Sequence, residues 1–159
     1  MSPADTPLDP PLDPRTHPYR DDIAADFLEG KVETKSFVPG RQCRLGTTQS
    51  AVMTKPVTAN SIEGVMQASE LLFGEAFTIY DESNGWAWGQ CSHDGYVGYV
   101  AVADLYDNLP EPTHWVTTMR SLVFPDPKGE CPAMMSVSMT ARVSIDREEG
   151  DYARLASGG

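Results

Sequence analysis

The chain has 159 residues, of which 40% are hydrophobic and 22% charged, a balance ordinary for a globular protein that argues against a disordered or fibrous class. That length accommodates one domain comfortably or two small barrels tightly. The net charge of -11 repels phosphate, which argues against nucleic acid or an anionic membrane surface as a partner.

The segment Met1 to Pro18 holds Pro3, Pro7, Pro10, Pro11, Pro14 and Pro18 among acids, a composition that prevents helix and interior strand and predicts a flexible leader. It has neither a basic start nor an apolar core, and no stretch reaches the roughly 20 apolar residues needed to cross a bilayer; the chain reads as cytoplasmic. Asp21 or Asp22 can cap a short amphipathic helix through Ile23, Ala24, Ala25, Phe27 and Leu28, with Gly30 as its stop. From Lys31 to Thr58 short apolar groups broken by Pro39-Gly40 and Gly46 predict short strands, and the stretch from Asn60 to Leu71 fits either a turn of helix or an irregular loop.

The clearest pattern begins at Leu71. Glu75 to Asp81 alternates, Asn84-Gly85 is a strong hairpin signal, and Trp86 to Gln90 alternates again. Asp94-Gly95 then turns the chain into Tyr96-Val97-Gly98-Tyr99-Val100, and Ala103 to Leu105 can form one helical turn. This three-strand meander predicts a small antiparallel barrel. Within it Trp86 and Trp88 share one face and Ala87 takes the other, and one of those faces must be core.

Pro110 and Pro112 mark a linker, and Ser121 to Phe124 opens a second unit. Displacing the first unit by 66 residues places Phe77 on Val143, Ile79 on Ile145 and Trp86 on Tyr152, with Gly85 and Gly150 out of step by one. On this offset the second unit has no counterpart of Tyr96 to Val100. An unclosed barrel leaves backbone groups unpaired, so the chain reads as a fragment, a short gene product, or a unit completed by another chain. The expected fold is therefore mostly β: residues 1–18 a leader, 19–109 a first small SH3-like barrel with its N-terminal helix, and 110–159 a second in tandem, incomplete.

The runs Leu71-Leu72-Phe73-Gly74-Glu75, Asn84-Gly85-Trp86-Ala87-Trp88 and Asp94-Gly95-Tyr96-Val97-Gly98-Tyr99-Val100 resemble the first bacterial SH3 domain of NlpC/P60 cell-wall peptidases. Tyr19 to Ala25 and Leu28 to Val32 upstream, and Tyr152 to Ala156 downstream, are similar to the same family, extending the resemblance over residues 19–159. The resemblance implies a region that precedes a papain-like catalytic domain, the part that cleaves the D-glutamyl to diamino-acid bond of cell-wall peptides. It also implies that Glu75 and Tyr96 help to close a pocket around the free amino terminus of the peptide. A carboxylate beside an aromatic face suits an ammonium group, although the same residues also suit a turn and barrel packing. Tyr80, Trp86 and Tyr99, together with Trp88, Trp115 and Tyr96, can in addition form an aromatic groove for extended peptide.

No catalytic residue, metal site or cofactor is expected. Gln90-Cys91-Ser92-His93 resembles the nucleophile motif of those peptidases superficially, but Cys91 sits between strands instead of opening a helix. His17, His93 and His114 lack the close spacing of a zinc set, and Cys43, Cys91 and Cys131 are too few and too widely spaced for a disulfide framework. Reduced, mostly buried thiols are expected. A free-standing peptide-binding or scaffolding protein completed by dimerisation is the competing reading, and a small hydrolase using Cys91 and His93 a third.

Overall fold

The computed structural model describes residues 11–58 and 61–158 and is mostly β. In the first unit the strands are β1 (Ala24–Ala25), β2 (Phe37–Val38), β3 (Arg41–Leu45), β4 (Gln49–Met53), β5 (Gln67–Leu72), β6 (Ala76–Ser83), β7 (Trp86–Cys91), β8 (Val97–Ala101) and β9 (Leu105–Tyr106). The second unit contains β10 (His114–Trp115), β11 (Arg120–Val123), β12 (Met135–Ser138), β13 (Arg142–Val143), β14 (Ile145–Glu149) and β15 (Tyr152–Leu155).

The predicted meander is β6, β7 and β8. Asn84 and Gly85 both take positive φ, 51° and 80°, which lets a two-residue loop follow the right-handed twist of the flanking strands. The expected terminal turn is a 3-10 turn at Val102–Asp104. The ambiguous stretch before Leu71 resolves in part as β5, antiparallel to β4.

Strands β3 to β9 form one sheet in the order β5-β4-β8-β7-β6-β3-β9. Its hydrogen bonding does not close into a barrel: β5 and β9 remain edges. The sheet is nonetheless rolled, because Cys43 and Leu45 from β3, Val52 from β4, Leu71 from β5, Phe77 and Ile79 from β6, and Val100 from β8 all pack in one core. A flat sheet could not bring residues of these five strands to one cluster. Ala87 faces this core, which settles which side of β7 is inside.

The opposite face of β7 is covered as well. The expected N-terminal helix is replaced by β1, paired in parallel with β2, and a 3-10 turn at Asp26–Leu28. The residue at the turn's N-cap is Ala25, which has no capping side chain, and Asp22 is engaged by Arg20. Arg20 lies 4.4 Å over the Trp88 ring and donates to Asp81 and to the Tyr99 hydroxyl. Burial works to lower the pKa of this guanidinium, but its bonds to Asp22, Asp81 and Tyr99 outweigh that and raise it. Residues 11–18 of the expected leader also hold defined positions: Pro18 is buried, the Val97 N–H donates to the Arg15 carbonyl at 2.8 Å, and the Tyr19 hydroxyl donates to the Leu12 carbonyl at 2.6 Å. Residues 1–10 of that expectation lie outside the described residues.

The second unit has its own cluster of Val123, Val137, Ala141, Val143 and Leu155, and Phe73 enters it from the turn between β5 and β6. At that turn the Arg142 N–H donates to the Phe73 carbonyl at 2.8 Å. Gly74 has φ +78°, and a Cβ built there would lie 1.8 Å from the Arg142 carbonyl oxygen. Glycine is thus required twice over, by backbone conformation and by close approach.

Gly85 provides the comparison, since it has φ +80° with nothing within 4 Å of its would-be Cβ. Gly85→Ala should cost about 1 kcal/mol, the left-handed backbone penalty alone, whereas Gly74→Ala should cost about 3 kcal/mol or more by adding a backbone collision. Urea unfolding of both variants checks this; equal midpoints would show that the contact with Arg142 carries no stability.

Candidate functional site

Glu75 and Tyr96, with 20 residues of chain between them, are linked indirectly through His93 and Asp94 of the turn between β7 and β8. Glu75 ends the turn that begins at Leu72, and its carboxylate accepts the Leu72 N–H at 3.0 Å while the Glu75 N–H donates back to the Leu72 carbonyl. This reciprocal pairing holds Glu75 at 8% exposure, the single charged residue buried among the described residues. Tyr96 lies just before β8, with 40% of its surface exposed.

The turn between β7 and β8 joins them. The Asp94 carboxylate accepts the Tyr96 N–H at 3.0 Å, lies 3.2 Å from His93 Nε2 and accepts the Ser69 hydroxyl. His93 Nδ1 is 3.6 Å from Glu75 Oε2. A chain of polar contacts thus runs from Glu75 through His93 and Asp94 to the backbone of Tyr96. Gln90 braces the same turn from the other side, donating to the carbonyls of Thr16 and Gly95 at 2.8 and 2.9 Å. The N-terminal segment therefore borders the site, a feature that proline content alone could not disclose.

The other three sequence candidates lie elsewhere on the sheet. Trp86 begins β7 and sits five residues, about 17 Å of extended strand, from Cys91 at the site end. Tyr99 is paired with Trp88 across β7 and β8 and accepts the Arg20 hydrogen bond. Tyr80 sits where the β6–β7 register shifts, its ring 6.1 Å from that of Trp88, and burial raises its phenol pKa. Tyr80, Tyr99 and Trp88 belong to the face packed by the N-terminal segment, so the aromatic residues do not form one groove with Glu75 and Tyr96. His93, which the sequence offers only as a partner for Cys91, lies between Glu75 and Asp94, and Gln90 and Asp94 belong to the same turn; the sequence signal for Asp94 is its position two residues before Tyr96, the spacing at which an aspartate caps its own turn.

Cys91, His93 and Asp94 place a sulfur, an imidazole nitrogen and a carboxylate oxygen within 4.8 Å of one another. The Asp94 oxygens are already engaged by Ser69, Tyr96 and His93. Burial, reinforced by the Asp94 and Glu75 charges, pushes the Cys91 thiol pKa up, so it is held protonated. No hydrogen bond joins Cys91 to His93, and the thiol ends a strand, away from any helix N-terminus that would stabilise a thiolate. The arrangement can orient a cationic or hydrogen-bonding ligand; it is unsuited to nucleophilic attack by sulfur.

Residues 60–105 match the family model of the bacterial dipeptidyl-peptidase SH3 domain. The segment is less than a third of the chain, yet it spans β5 to β8 and includes Glu75, Tyr80, Trp86, Tyr96 and Tyr99. No curated protein matches the chain. The similarity to a peptidase-associated SH3 domain agrees with the rolled sheet and with a non-catalytic region of a peptidase. Among the described residues no helix is long and apolar enough to cross a membrane.

Thiol chemistry tests the reading of Cys91. An aromatic disulfide reagent at neutral pH should label exposed Cys131 first and reach buried Cys43 and Cys91 only on unfolding; rapid labelling of Cys91 in the folded protein would contradict it. Burial also pushes Cys43 from 9.0 up to about 12. The unfolded chain then releases thiol protons that the folded chain keeps, so the urea midpoint should fall as pH rises above about 9.

Proposed function

We propose that this chain is the non-catalytic SH3-type substrate-recognition and docking region of a peptidoglycan-peptide hydrolase of the NlpC/P60 type, a D-glutamyl to diamino-acid endopeptidase acting in the cytoplasm. The observation that carries the reading is a buried carboxylate, Glu75, joined through His93 and Asp94 to the backbone of Tyr96, whose side chain is exposed, in a segment similar to an SH3 domain of bacterial dipeptidyl-peptidases. Hydrolysis belongs, on this reading, to a papain-like domain C-terminal to the second unit.

The physical chemistry of a peptide amino terminus supports the assignment. An ammonium group needs a charge partner and acceptors, and a carboxylate already fixed by the Leu72 N–H loses little freedom on binding it. The tyrosine face adds cation-π attraction of about 0.5–1 kcal/mol in an exposed setting, and more once a neighbouring domain excludes water. Negative charge overall raises the local concentration of a cationic end. Without a covering domain the affinity should be weak, with Kd on the order of 1 mM.

Titration of the isotopically labelled chain with the tripeptide L-Ala-γ-D-Glu-diaminopimelate, followed by NMR, tests the proposal. Amide shifts should cluster at Glu75 and at Asp94 to Val97, should vanish with the N-acetylated tripeptide, and should weaken about tenfold or more in Glu75→Gln, which keeps the hydrogen-bond acceptor but not the charge. Shifts that are indifferent to N-acetylation, or that fall on the second unit instead, would overturn it.

A further inference from the structure

Among the described residues Cys43 donates its thiol to the Phe77 carbonyl at 3.1 Å, and the Cys131 thiol lies 3.5 Å from an Asp126 carboxylate oxygen. Cys91, fully buried at the end of β7, has no such partner among them. Its sulfur instead converges with a His93 ring nitrogen and an Asp94 carboxylate oxygen, the three atoms lying within 4.8 Å of one another. Spacing among the histidines alone, or among the cysteines alone, conceals this set, because it draws one donor of each type from Cys91-Ser92-His93-Asp94.

The imidazole supplies a second, independent observation. Both of its nitrogens face carboxylates, Nδ1 toward Glu75 Oε2 at 3.6 Å and Nε2 toward Asp94 Oδ2 at 3.2 Å. A neutral imidazole has a single N–H, so one of these contacts sets lone pair against lone pair unless a cation, either a proton or a metal ion, lies there. Two nitrogen or oxygen ligands held tetrahedrally at about 2.0–2.1 Å from a zinc ion stand roughly 3.3 Å apart, close to the Nε2 to Oδ2 separation. Glu75 beside Nδ1 favours the tautomer that frees the Nε2 lone pair, as carboxylates behind metal-bound histidines do. The Tyr96 N–H and the Ser69 hydroxyl fix the Asp94 carboxylate and leave Oδ2 a second lone pair. The His93 and Asp94 side chains keep 30% and 26% exposure, which gives an ion access from solvent.

We propose that this turn is a zinc site, with Cys91 Sγ, His93 Nε2 and Asp94 Oδ2 as protein ligands and water in the fourth position. A sulfur, a nitrogen and an oxygen suit zinc, whereas calcium and magnesium take about six to eight oxygens. Binding breaks the Cys91 S–H bond, forms a Zn–S bond and passes the proton to the buffer; no electron is transferred. The thiolate and the Asp94 carboxylate together balance the charge of the ion, so Glu75 keeps its own. The inference therefore does not rest on the amino-terminus reading of Glu75 and Tyr96.

The test uses the full chain, freed of metal and titrated with Co²⁺, a spectroscopic substitute for zinc. Four-coordinate cobalt bound to a thiolate absorbs strongly in the visible and shows a sulfur-to-metal band in the near ultraviolet. Both absorptions should grow to one equivalent of Co²⁺ and should be removed by Zn²⁺. Cys91→Ser should abolish the sulfur band, and Cys131→Ser should retain it. His93→Gln, at a partly exposed side chain outside the apolar core, should weaken cobalt about tenfold or more. Saturating Zn²⁺ should raise the urea midpoint of the unsubstituted chain and leave that of His93→Gln unchanged. A titration without a sulfur band overturns the proposal and leaves a proton as the cation between His93 and Asp94. A band that persists in Cys91→Ser but disappears in Cys131→Ser also overturns it, placing the metal at the exposed thiol.

Discussion

Most of the molecule's organisation turns on the four residues from Leu72 to Glu75. The turn needs a left-handed residue, and Gly74 supplies it while letting the Arg142 carbonyl approach where a side chain would stand. On one side of the turn Phe73 leaves the first unit and enters the core of the second. On the other side the Glu75 carboxylate folds back on the Leu72 N–H. A single tight turn therefore couples the two units and places the charge of the candidate site. Both consequences arise from one backbone conformation.

The charge on Glu75 also illustrates how a buried carboxylate is tolerated. Burying a carboxylate without partners is expensive, and here the Leu72 backbone N–H donates to it, with the His93 ring 3.6 Å away. The same contacts serve the turn itself, so the residue has a structural task whether or not a ligand is present. What suggests recognition is the company it keeps: an exposed tyrosine ring whose backbone is tied, through Asp94, to the histidine beside the carboxylate. Rigid support of this kind matters for a weak, charge-based contact, since little freedom remains to be lost on binding.

The N-terminal segment has an unexpected part in the fold. It lays Pro18, Arg20 and the buried pair Ala24 and Ala25 against the first unit, and its Arg20 guanidinium stacks on Trp88 while bonding to Asp81 and Tyr99. Sequence pattern could say that one face of β7 was core. It could not say that the small residue, Ala87, would face the rolled core while Trp88 was buried from outside by a segment more than 60 residues earlier in the chain. The proline content of residues 11–18 argues against regular secondary structure there and nothing more; hydrogen bonds from Val97, Gln90 and Tyr19 and the burial of Pro18 give them a definite place.

By itself the sequence determined what depends on local rules: the meander from Ala76 to Ala101, the Asn84-Gly85 hairpin whose residues both need positive φ, the 3-10 turn after β8, and the echo of β6 and β7 in the second unit. Each follows from alternation or turn chemistry within a few residues. Whether the sheet closed, where Ala24 and Ala25 paired, and which of Glu75, Tyr80, Trp86, Tyr96 and Tyr99 stood together were decided only in three dimensions. Those outcomes depend on contacts between distant segments, where packing of Trp88 under Arg20 and of Phe73 beneath the second unit competes with, and overrides, local preference.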